Sequence, residues 1–171
     1  MLKAYNGSAP VLGERCFVAE TAAVIGNVTM GDDVSVWYGA VIRGDAEPIT
    51  VGGRSNIQDN VTIHNDDGHP VVIGRNVSIG HNAVVHGATL EDGVLIGMGA
   101  VVLNGAVIGE GSLVAAGALV TSNTVIPPCS LVIGSPARVV RCLAPGSNLE
   151  NADVYVLRKD NYLKEQEGSR G

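Results

Sequence analysis

An aliphatic side chain returns every six residues along much of this chain, at Leu90, Ile96, Val102, Ile108, Val114, Val120, Ile126 and Val132, with a small residue four places after most of them, at Ala100, Ala106, Ser112, Ala118, Thr124 and Ser130. A helix repeats near 3.6 residues and a strand at two, so neither makes this period. A period of six belongs to the hexapeptide β-helix, in which each hexad forms one face of a triangular coil, the aliphatic residue fills the core and the small one fits near the corner. A sandwich of short strands would alternate with period two instead.

The register also runs through Val18, Val24, Met30, Val36 and Ile42, resumes at Val51, Ile57 and Ile63, and resumes again at Ile73, Ile79 and Val85. The breaks are an insertion around residues 46–50, an inserted loop at 65–70, and one residue missing between Val85 and Leu90. Roughly nineteen hexads result, hence about six coils. With 171 residues, 23 glycines and 4% aromatic content, one domain with a core of stacked Val, Ile, Leu and Ala is expected over residues 1–146. A solenoid of this kind needs its ends and flat faces covered. Residues 147–167 carry no hexad and read as a helix of the same domain folding back along the prism. Pro145 and Gly146 turn into it, Ser147 or Asn148 serves as N-cap, and Leu149, Ala152, Val156 and Leu163 share one face. Lys159, Asp160, Lys164 and Glu165 are expected in solvent, residues 168–171 as a disordered tail, and Trp37 and Tyr38 as packing against the helix or another subunit.

A net charge of −6 and a pI near 5.1 argue against a nucleic-acid surface. No apolar run approaches a membrane span and no leader opens the chain, so a cytoplasmic protein without a membrane partner is expected. Cys16, Cys129 and Cys142 are odd in number and scattered, which favours reduced thiols over a disulfide framework. The Ile-Gly pairs at Ile25, Ile73, Ile79, Ile96 and Ile108 punctuate the repeat, and no organic cofactor site is expected.

Chemistry enters with His64, His81 and His86. His64 follows Ile63 and His86 follows Val85, so both take the second place of their hexad on one face, one coil apart. Coils pair like parallel strands, about 4.8 Å apart, close enough for two stacked imidazoles to share a metal. Arg43, after Ile42, belongs to the same column. His81 takes the third place of the preceding hexad, and five extended residues separate it from His86 by roughly 16 Å. A second copy of the chain could bring its His81 to the first copy's His64 and His86, and threefold closure would make three equal sites. Taken singly, outward histidines of a β-helix are more often solvated than metal-bound. The joint pattern, set among Asn, Gln and Asp, favours a shared metal. His69, before Pro70, reads as a surface histidine.

The runs Arg43-Gly44-Asp45, Asn56-Ile57-Gln58-Asp59-Asn60-Val61-Thr62-Ile63-His64 and Ile79-Gly80-His81-Asn82-Ala83-Val84-Val85-His86-Gly87 resemble the gamma-class carbonic anhydrase family, in particular bacterial members with a short acidic loop. The resemblance spans nearly the whole chain, including the Gly134-Ser135-Pro136-Ala137 exit and the terminal helix. It implies a left-handed β-helix, a homotrimer with metal sites between subunits, and zinc, with iron or cobalt as alternatives. It also implies His64 and His86 as ligands from one subunit and His81 from the next. Gln58 and Asn56 resemble the groups that orient metal-bound water or substrate. Arg43, Asp45 and Asp59 resemble charged residues at the subunit boundary, and structural pairing is at least as good an account of Arg43 and Asp45 as catalysis. Tyr155 resembles a tyrosine that some members place over the site, though core packing explains it as well.

The activity implied is hydration of a small molecule, carbon dioxide, to bicarbonate, by water made acidic on a metal held by three neutral imidazoles. One departure concerns proton export. Family members carry an acidic residue directly after the one Asp45 resembles, where this chain has Ala46, and the loop is the short 65–70 segment, so Asp67, Glu47 or His69 would have to substitute. Three other readings stay open: a thioesterase acting on acyl-coenzyme A with the same metal, an acyltransferase using one histidine as base without a metal, and a non-catalytic trimeric scaffold with a vestigial metal.

Overall fold

The computed structural model describes residues 1–168, and the expected tail beyond residue 168 lies outside the described residues. The chain winds as a left-handed parallel β-helix of three faces. One face is stacked from Phe17–Val18, Ser35–Val36, Asn56–Ile57, Ser78–Ile79, Leu95–Ile96, Leu113–Val114 and Ser130–Gly134, which makes seven layers. That is one more than the hexad count implied. The first coil is completed on the other two faces by Leu2–Lys3 and Val11–Leu12, which pair in parallel with Ala23–Met30; Leu2 and Val11 are exposed, whereas Leu12, six places before Val18, packs partly buried against the core.

Aliphatic ladders run down the inside. Val24, Ile42, Ile63, Val85, Val102 and Val120 are successive register partners and all are fully buried. One place further along, on the outside of the same strands, stand Ile25, Arg43, His64 and His86. Core stacking therefore fixes the histidine column, because a slip of one residue would turn isoleucine outward.

Corners close with tight turns. Ala83 donates to the Gly80 carbonyl at 3.1 Å around His81 and Asn82, and Val61 donates to Gln58 at 3.3 Å around Asp59 and Asn60. Asn82 and Asn60 hold φ of 60° and 59°, a left-handed conformation that asparagine tolerates better than most residues. His81 and Asp59 thus occupy equivalent corner positions in adjacent coils.

After the last coil, Ser130–Gly134 turns back as an antiparallel hairpin with Ala137–Cys142 through a cis Ser135-Pro136 bond. The helix runs over Leu149–Gly168. Asn148 does not cap it through its side chain; its amide donates to the carbonyls of Gly111 and Ser112, pinning the helix start to a coil. The inward stripe is Ala152, Tyr155 and Lys159, with Leu163 partly buried against the core; of the expected face it is Leu149 that departs, at 42% exposed. Lys159 was expected in solvent but is fully buried, its ammonium 3.0 Å from Asp33 and paired also with Asp160. A lysine can be buried there because two carboxylates meet its charge. Trp37 packs edge-on against Tyr155 and Tyr162, so the aromatic residues cluster under the helix.

Candidate metal centre

Two half-sites emerge on different corners of the prism. The first is built on the column Arg43, His64 and His86. His64 Nδ1 and His86 Nε2 face each other across 3.0 Å. The far nitrogens are both held: His64 Nε2 lies 3.0 Å from Asp45 Oδ1, and His86 Nδ1 lies 2.5 Å from Asn104 Oδ1.

These contacts assign the protons. Burial raises the Asp45 pKa, but hydrogen bonds from Arg43 and His64 outweigh it and hold the carboxyl below its ordinary value. An ionised carboxylate only accepts, so His64 donates from Nε2. Asn104 donates through Nδ2 to Asp66 Oδ2 at 2.9 Å, a bond that keeps the Asp66 carboxyl below its usual range. The asparagine therefore turns its carbonyl oxygen to His86, and His86 donates from Nδ1. With both rings neutral, the two facing nitrogens carry lone pairs, which repel at this distance unless a positive charge lies between them.

A metal ion suits that arrangement. Two nitrogens each about 2.0 to 2.1 Å from one tetrahedral metal stand roughly 3.3 Å apart, close to the observed separation. Histidines that bind metals almost always donate their other N–H to a carboxylate or carbonyl, as both do here. The donor set therefore fits a metal. Asp66 adds a carboxylate, its ligand atom and those of His64 and His86 lying within 4.8 Å of one another.

The flanking loops are pinned to hold these acids. Asn65, fully buried, donates to the carbonyl of Glu47 at 2.6 Å and accepts from the Glu47 amide at 3.2 Å. Glu47 in turn accepts from the Gly68 amide at 2.9 Å. The two insertions are thus bolted together. A cavity of about 550 Å³ lined by Arg43, Asp45, His64 and Asp66 lies over the column.

The second half-site lies against the helix. His81 Nδ1 lies 2.8 Å from Asp59 Oδ2. A groove of about 370 Å³ joins His81 with Gln58, Tyr155, Arg158 and Met98. Gln58 Nε2 donates to Asn56 Oδ1 at 3.0 Å and Asn56 Nδ2 donates to Ser78 Oγ at 2.8 Å. That chain fixes the glutamine amide and leaves Gln58 Oε1 as its accepting group. Tyr155 is buried under Arg158, and burial pushes its hydroxyl pKa up.

Of the residues expected in the site, His64, His86, Arg43 and Asp45 therefore converge on one corner. His81, Asp59, Gln58 and Tyr155 converge on another, with Asn56 behind Gln58. Within the chain Arg43 pairs with Asp45 and Asp59 with His81. Asn104 and Asp66 were not anticipated. Asn104 looks like ordinary turn punctuation before Gly105; the one signal for it is the residue missing between Val85 and Leu90, directly beneath it.

Fold and donor groups together define a hexapeptide-repeat β-helix protein with a histidine-rich, metal-type surface site. Residues 87–122 match the family model described as bacterial transferase hexapeptide (six repeats). Over 142 residues the chain is 58% identical to a Methanocaldococcus jannaschii protein described as a probable carbonic anhydrase, covering 81% of this chain and 89% of that one. It is 37% identical to a Geobacillus kaustophilus carbonic anhydrase, over 96% of this chain and 91% of the relative. A solved hexapeptide transferase family protein from Anaplasma phagocytophilum superposes with a TM-score of 0.91 at 36% identity, covering 95% and 98% of the two chains. The chain belongs to the gamma-class carbonic anhydrase family.

Proposed function

We propose that this chain is a metal-dependent carbonic anhydrase, a lyase that interconverts carbon dioxide and bicarbonate, acting as a homotrimer whose metal sites are completed between subunits. The observation that carries the reading is the pair of imidazole nitrogens facing each other across 3.0 Å, each histidine held from behind by an oxygen of Asp45 or Asn104. His64 and His86 would hold zinc, or iron or cobalt, from one subunit, and His81 from its neighbour; His₃ sites accept several metals. When bound, such a metal supplies a Lewis acid that lets water ionise near neutral pH.

The chain's own groups do the rest. Asp45 aims His64 by accepting its far N–H, and Asp59 stands against the far nitrogen of His81 in the same way. Gln58, braced by Asn56 and Ser78, uses Oε1 to orient the reacting water, and because it shares its groove with His81 it belongs to the subunit that lends that histidine. Tyr155 closes the same groove. Arg43, beside Asp45, keeps that carboxylate ionised at the subunit boundary.

The sharpest alternative within this reading is a site completed inside one chain by Asp66. Mixing chains separates the two. Protein carrying His64→Ala and protein carrying His81→Ala should each lack stoichiometric metal and activity. Refolded together, they should recover about a quarter of the sites, because a mixed interface restores all three ligands. No recovery in trimeric mixtures, with His81→Ala retaining its metal, would overturn the intersubunit ligand.

A second reading rests on the groove, which is roomier than carbon dioxide needs: acyl transfer or thioester hydrolysis. Among fold neighbours at 17% identity is a Bacillus cereus N-acyltransferase solved with coenzyme A. Stopped-flow carbon dioxide hydration and acyl-coenzyme A cleavage, each with and without chelator, decide among them. The anhydrase and thioesterase lose activity on chelation, a transferase keeps it, and a scaffold turns over neither substrate.

A further inference from the structure

The corner that follows His86 is one residue short. In the coil above, Val102 pairs with Val85, and the Gly105 amide donates to the Gly87 carbonyl at 2.7 Å. Leu103, Asn104 and Gly105 round that upper corner where His86 and Gly87 round the lower, so Gly87 alone lies beneath Asn104 and Gly105, and the Asn104 side chain reaches the His86 ring. Room for this contact depends on glycine at 87, which adopts φ of 54°, and where an added Cβ would stand 2.5 Å from Asn104 Oδ1. Asp66, from the inserted loop, takes the other end of the amide at 2.9 Å. Two departures from the repeat thus converge on one asparagine: the missing residue and the inserted loop.

We propose that Asn104 is a positioning residue of the metal centre, which holds the proton of His86 on Nδ1 so that Nε2 keeps its lone pair toward the ion. The assignment rests on the metal reading above, and it names the group that completes it on the one ligand without a carboxylate partner. An amide suits this place better than an acid. Its oxygen accepts from His86 while its N–H₂ donates to Asp66, whereas a carboxylate at 104 would face the Asp66 carboxylate directly. Asp66, in this arrangement, acts through Asn104 by locking the amide against a flip.

Long-range ¹H–¹⁵N NMR of metal-free protein reads the tautomer without any metal. His86 should be protonated at Nδ1 in the parent chain, and Asn104→Leu should lose that preference. Cobalt(II) affinity, measured by competition with a chromophoric chelator, should fall about 10- to 100-fold in Asn104→Leu. Asn104→Asp keeps an acceptor for His86 and should stay within about threefold of the parent. Circular dichroism and trimer mass check that each variant folds. A parent His86 protonated on Nε2, or an Asn104→Leu protein that binds cobalt as tightly as the parent, would overturn the assignment. Parent protein that takes up no cobalt would instead sink the metal reading, and the metal-free tautomer would still decide what Asn104 does to His86.

Discussion

The coils from Leu90 to Val132 keep a strict six-residue step, whereas those between Ile42 and Leu90 break it three times. The regular coils bury Leu90, Ile96, Val102, Ile108, Val114, Val120 and Val132 completely, and their outer positions carry no metal-type cluster among the described residues. The irregular coils have an equally dry core, with Ile42, Ile57, Ile63, Ile79 and Val85 fully buried. The difference lies outside. All three breaks fall at the same corner of the prism, directly after Arg43, His64 and His86. The insertions bring Asp45 and Asp66 to the column, and the missing residue admits Asn104. The repeat supplies a rigid column, and departures from it supply the groups that aim the histidines.

The helix ties the two regions together, held by Asn148 to a regular coil and by Lys159 to Asp33 near the other end. Lys159→Ala should therefore have the largest effect on stability, about 3–5 kcal/mol, because a buried ion pair and the packing of the lysine stem are lost together and Asp33 keeps only the exposed Arg15. Chemical denaturation measures it, and a loss below about 1 kcal/mol would show that the helix is not anchored there. In the regular region, Ile108→Ala should cost about 2–5 kcal/mol by opening a cavity, yet leave metal content unchanged in the folded protein. Metal loss from that variant would break the division of labour between the coils.

Acid should act on the anchor next. The Arg15 hydrogen bond, reinforced by Lys159 against the opposing effect of burial, lowers the Asp33 pKa from 3.8 to about 2. A carboxyl with a lowered folded-state pKa stabilises the fold above its unfolded value and loses that contribution as pH falls. About 2 kcal/mol should thus disappear between roughly pH 4 and pH 2, and Lys159→Ala should reduce the loss. An equal acid loss in both proteins would remove Lys159 from the account. The smallest change in stability is expected for His64→Ala, below about 1 kcal/mol in metal-free protein, since the ring lies outside the core. The same variant should lose its metal, measured by elemental analysis. A large destabilisation without metal would mean that the column serves folding first.

Much of this was legible before any coordinates. The six-residue step named the architecture because only a triangular coil buries one aliphatic residue per hexad. Counting faces put His64 and His86 in one column and His81 elsewhere, as the register partners have it. Lys159 misled because a lysine's burial depends on Asp33, which lies 126 positions earlier in the chain. The first coil escaped notice because the six-residue step stops at Leu12, with Asn6 where the next aliphatic residue would stand, and because Leu2 lies exposed at the open end of the prism. Asn104 and Asp66 escaped it for a related reason: an amide that turns a corner and one that orients an imidazole are spelled alike.

Sequence by itself determined the prism, the core ladders and the column of imidazoles, because periodic burial is a local property that repeats with the chain. Tertiary structure alone decided which group stands behind each imidazole, that the helix is anchored by a buried ion pair, and that Gln58 shares a groove with His81 rather than with His86. Those outcomes depend on groups that meet across coils, as at 18 to 22 residues apart in the histidine column, or across the whole prism, where no periodicity records who the partner will be.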